Sequence, residues 1–67
     1  MAPVYYVSEE AEDDGGHEVH RDNCYRLPIL RKYLGLHPTC DAAVAQARKA
    51  FEGAVGCRLC AYECRRA

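Results

Sequence analysis

Four residues in two short pairs carry the chemistry most easily read from this chain. His20 and Cys24 form an H-x3-C pair, and Cys57 and Cys60 form a C-x2-C pair. Each spacing lets two side chains converge on one ion. In C-x2-C a tight turn sets two sulfurs side by side and aims backbone N–H groups at them. H-x3-C adds one imidazole nitrogen and a third thiolate from a strand-to-turn corner. Together they make a Cys3His set, the donor set of a closed tetrahedral zinc site. Thiolate and imidazole donors select Zn2+ over Mg2+ or Ca2+, and Fe2+ can occupy similar sites. Four protein ligands leave no position open for water, so the expected role of the ion is structural.

A metal also answers a problem set by composition. The 67 residues make one small domain, 1–67, with 49% apolar and 28% charged residues. Much of that apolar share is Ala and Cys, and there is one Phe and no Trp. A chain this short and this poor in bulky side chains needs a metal, disulfides or a partner to offset the entropy of ordering. Two further cysteines, Cys40 and Cys64, are either a disulfide or two buried reduced thiols. Reduced thiols are the expectation for a cytoplasmic protein. Cys64 could replace His20 as a ligand, but three ligands from one short helix strain a tetrahedron.

No segment approaches the ~20 apolar residues of a membrane-spanning helix. Residues 1–7 lack the basic start and long apolar stretch of a secretory signal. The expectation is a cytoplasmic monomer without membrane contact. Net charge is −1 but unevenly placed, −6 over residues 1–18 and +5 over 19–67. The acidic stretch within 9–16 reads as a flexible solvated loop. Arg31-Lys32, Arg48-Lys49 and Arg65-Arg66 are scattered pairs, not a basic stripe. His17 reads as a solvated strand residue and His37 as a loop residue. No Ser/His/Asp set or carboxylate pair indicates an enzyme.

The elements that must hold the four ligands follow from local pattern. Residues 4–7 (Val-Tyr-Tyr-Val) and 17–20 read as two strands of a hairpin, with Asp-Asp-Gly-Gly as the turn signal between them. Residues 31–36 read as a short third strand. Pro28 keeps Leu27-Pro28-Ile29-Leu30 out of any central strand. The main helix is expected at about 40–51, capped by Thr39 and stopped by Gly53. Its buried face is Cys40, Ala43, Val44, Ala47, Ala50 and Phe51. A short second helix is expected over 58–65. The fold class is α+β: a two- or three-stranded antiparallel sheet, one main helix, a short C-terminal helix and a zinc staple.

These motifs also carry a resemblance. Gly16-His17-Glu18-Val19-His20-x3-Cys24, Tyr33-Leu34-Gly35, Cys40-x3-Val44-x2-Ala47 and Gly56-Cys57-x2-Cys60-x3-Cys64 together resemble a group of small, largely uncharacterised bacterial proteins. More distantly, H-x3-C followed by a helix and Gly-Cys-x2-Cys resembles the zinc module of Ada-type DNA-repair proteins and of some thermonuclease-like proteins. In Ada-type modules four cysteines bind zinc, and one accepts a methyl group from DNA phosphotriesters. The matching positions here are His20, Cys24, Cys57 and Cys60. His20 stands where that module has a cysteine, so the resemblance implies the fold and the zinc and argues against methyl transfer. The expected function is a non-catalytic zinc-binding module contacting nucleic acid. The alternatives are a protein-interaction adaptor working through residues 27–30 and a thiol-based redox or metal sensor.

Overall fold

The computed structural model describes residues 3–11 and 15–64. Strands β1 (Val4–Ser8), β2 (His17–Arg21) and β3 (Arg31–Leu36) precede helix α1 (Cys40–Ala47). Strand β4 (Ala54–Gly56) and a single 3-10 turn, Tyr62–Cys64, follow it. The sheet order is β3-β1-β2-β4. β1 pairs antiparallel with both β2 and β3, whereas β4 pairs parallel with β2. The α+β class and the three expected strands are present. The sheet is larger than expected and mixed rather than antiparallel.

Each difference has a local cause. β4 is three residues long, Ala-Val-Gly with Gly53 before it, too short and too weakly β-forming to signal itself. It is held by neighbours: His17 N–H donates to the Gly53 carbonyl (3.1 Å) and Cys57 N–H to that of Val19 (2.9 Å). α1 ends at Ala47, not at residue 51, because the chain must turn back to reach β2. The Ala47 carbonyl accepts from both Ala50 (3.0 Å) and Phe51 (2.9 Å), which tightens the last turn. Arg48 Nε then donates to the Ala54 carbonyl (3.0 Å) and ties the turn to β4. The expected C-terminal helix is only the 3-10 turn, and residue 65 lies outside the described residues.

The start of the helix is as expected. Thr39 is extended, and its hydroxyl accepts from Ala42 N–H (3.2 Å). Cys40, Ala43, Val44 and Ala47 are buried; Ala50 is exposed and Phe51 half-buried. These helix residues meet Tyr5, Val7 and Val19 from the sheet, with Ala54, Ala61 and Cys64 closing the core. Apart from Tyr5, this buried set is valine, alanine and cysteine. Strand alternation turns Tyr6, Glu18 and His20 to the opposite face, where Tyr6 lies opposite His20. On that face Arg31 covers the Tyr6 ring at 5.0 Å. Of the acidic stretch, Glu9 N–H donates to the Leu30 carbonyl (3.1 Å), and residues 12–14 lie outside the described residues. Among the described residues, no helix is long and apolar enough to cross a membrane.

Candidate metal centre

The two ligand pairs leave the sheet from neighbouring strands. His20 is the penultimate residue of β2, and Cys24 N–H closes the following turn onto the Arg21 carbonyl (3.0 Å). Cys57 is the first residue after β4, and Ala61 N–H donates to its carbonyl (3.0 Å), curling Cys60 back towards β2. The ligand atoms of His20, Cys24, Cys57 and Cys60 all lie within 4.8 Å of one another. Cys24 Sγ is 3.6 Å from His20 Nδ1 and 3.9 Å from Cys57 Sγ. Bond lengths of ~2.3 Å to sulfur and ~2.0 Å to nitrogen give tetrahedral edges of ~3.8 Å for S···S and ~3.5 Å for S···N. The two separations therefore fit an ion at the centre. Cys24, Cys57 and Cys60 are all free of disulfides.

The environment suits a metal better than free thiols. His20, Cys24 and Cys57 are buried and Cys60 is half-buried. Arg21 N–H points at Cys60 Sγ (3.3 Å) and Leu59 N–H at Cys57 Sγ (3.5 Å), donors that stabilise thiolate charge. Burial pushes the Cys60 thiol up to about 12, with the Cys24 and Cys57 sulfurs acting in the same sense and the Arg21 N–H opposing. The Cys60 thiol resists ionising without a cation, and a divalent ion supplies that charge. Burial holds His20 below the ordinary histidine value, with Glu18 opposing and Arg26 adding to the effect. The imidazole is thus neutral at pH 7, the form that coordinates metal.

The remaining cysteines and histidines lie elsewhere. Cys40 and Cys64 are joined in a disulfide, Cα–Cα 6.1 Å, instead of standing as the expected reduced thiols. The first residue of α1 and the last of the 3-10 turn meet at bridging distance, so Cys64 is no substitute for His20. His17 is not simply solvated: its Nδ1 lies 3.0 Å from the Ser8 carbonyl and its ring stacks on Phe51 at 4.3 Å. His37 Nε2 lies 3.0 Å from the Leu34 carbonyl. The residue the sequence reading missed is Glu18, counted there only as one acid of an acidic segment. It is 3% exposed, and its Oε1 lies 3.8 Å from His20 Nε2. Its i, i+2 spacing to His20 on a strand was the available signal.

Comparison of the chain with protein-family models, with curated proteins and with solved structures finds no match.

Proposed function

We propose that this chain is a small, non-catalytic zinc module in which one Zn2+ joins the β2 corner to the β4 turn through His20, Cys24, Cys57 and Cys60. The observation that carries this reading is the convergence of four ligand atoms, from positions up to 40 residues apart, within 4.8 Å. Three thiolates and one imidazole suit Zn2+. A closed set leaves no position for a reacting water, which makes the ion a staple. Structural zinc of this type contributes roughly 10–16 kcal/mol of apparent free energy, the scale of a whole small domain. Native mass spectrometry of the freshly purified chain tests it. One zinc per chain is expected, and a bare mass with no zinc by elemental analysis refutes it.

As a module, the chain acts by presenting a surface. Nucleic acid is the partner that the Ada-type resemblance suggests, an argument from analogy. Mobility shift at low salt against single- and double-stranded DNA and RNA tests it, and no retardation counts against it. A protein partner is the second reading. It is favoured by apolar side chains around the edge strand: Ile29 is 92% exposed, and Leu30, Tyr33 and Leu36 are also exposed.

A further inference from the structure

We infer that Glu18 is the outer-sphere carboxylate of the metal centre, holding His20 so that Nδ1 takes the ion and Nε2–H faces Glu18. The inference rests on the metal reading above and assigns a role to a residue outside the ligand set. Glu18 stands apart from the other acids among the described residues: Glu9, Glu10, Asp22, Asp41, Glu52 and Glu63 are all exposed. A buried carboxylate is costly unless something nearby requires it. One group beside it is the imidazole of the ligand set. Glu18 Oε1 lies 3.8 Å from Nε2, while Nδ1, across the ring, lies 3.6 Å from Cys24 Sγ. The ring therefore stands between the sulfurs and the carboxylate.

Glu18 is not itself one of the converging ligands, which are His20, Cys24, Cys57 and Cys60. Its position two residues before His20 on one strand fixes it beside the ring, on the same sheet face. A metal-bound histidine has one ring N–H left to donate. An acceptor placed there fixes the tautomer, stops the ring turning over and makes the other nitrogen a better donor to the metal. The structure brings a carboxylate oxygen to 3.8 Å from that nitrogen, on the side from which the acceptor must come, and the hydrogen bond closes when the ion seats the ring. No proton changes hands: Nε2 keeps its hydrogen, and Glu18 accepts.

The test uses the full chain, 15N-labelled and loaded with 113Cd2+. Coupling of cadmium to His20 Nδ1, with a proton on Nε2, is expected; coupling through Nε2 overturns the inference. Zinc release to a competing chelator gives a second measure. Glu18→Ala should speed release by about 10–100-fold. Glu18→Gln, which keeps shape and an acceptor oxygen, should release more slowly than Glu18→Ala and retain the Nδ1 coupling. That retained coupling separates positioning from a merely structural effect. Wild-type release rates in both variants refute the role of Glu18 while leaving the metal reading intact. A wild-type chain that takes up neither zinc nor cadmium removes both.

Discussion

Replacing Cys40 and Cys64 together by alanine should lower the melting temperature steeply while leaving the metal centre in place. The bridge joins residues 24 apart in sequence, from the start of α1 to the end of the 3-10 turn. Chain-entropy arithmetic for a loop of that size gives about 3.5 kcal/mol at 25 °C. Unfolding entropy of ~2.1 cal/mol/K per residue gives this domain about 0.14 kcal/mol per kelvin, so the loss corresponds to roughly 25 °C. The four ligands are untouched, and the Arg21 and Leu59 N–H donors to Cys60 and Cys57 remain. Calorimetry of zinc-saturated wild type and double variant at equal concentration measures the shift. Cobalt substitution, read by its thiolate charge-transfer band, shows that the centre persists. A shift below about 5 °C refutes the loop-closure reasoning. Thiol titration of the unfolded, unreduced, metal-stripped wild type is the companion check: three free cysteines are expected, Cys24, Cys57 and Cys60, and five reactive thiols would remove the bridge.

Gly56→Ala should destabilise by about 1–3 kcal/mol in urea and speed zinc release. A Cβ there would run into the Ala61 carbonyl oxygen and lie 2.9 Å from the Cys64 carbonyl carbon, beside the ligand Cys57. Cys57→Ser should weaken zinc binding by more than about 100-fold in chelator competition, since even the loss of outer-sphere partners costs 10–100-fold. Zinc affinity should rise with pH by about tenfold per unit from Cys60 alone, because a thiol held up to about 12 must surrender its proton to the metal. A flat affinity between pH 6 and 9 would contradict this. His20 also favours higher pH, through the metal-free fold: its folded value lies below the ordinary 6.5, so the fold keeps its contribution above that pH and loses it as pH falls through the lowered value. Urea midpoints of metal-free protein between pH 5 and 8 measure the decline.

The ligand set was legible because its spacing is local within each pair. H-x3-C and C-x2-C name their members without knowledge of the fold, and the shortage of large apolar residues supplied a reason for a staple. The N-cap Thr39 and the inward face from Cys40 to Ala47 were legible for the same reason, since both depend on neighbours within two helical turns. What the sequence concealed depends on distant partners. α1 stops early because Ala54 has to reach β2, and nothing at residues 48–51 announces that. The Cys40–Cys64 bridge forms because two termini of unrelated elements meet; the expectation held a bridge open and set it behind buried reduced thiols. Glu18 looked like one more acid in an acidic segment, yet on β2, a central strand between β1 and β4, it is buried.

The parallel pairing of β4 with β2 is what makes the centre possible. β3 and β4 run the same way as β2, and α1 carries the chain from one edge of the sheet to the other. Parallel strands leave a sheet at the same end. His20 stands near the end of β2 with Cys24 just beyond it, Cys57 and Cys60 follow the end of β4, and the two pairs meet there. An antiparallel β4 in the same place would send Cys57 off the opposite end of a five-residue strand, on the order of 16 Å away. No tetrahedral ion spans that gap. The three residues Ala54, Val55 and Gly56 thus set the direction from which two of the four ligands arrive, although they contribute little apolar surface of their own. A metal held there would in turn tie down the end of a strand too short to hold its pairing alone, so the topology and the proposed ion depend on each other.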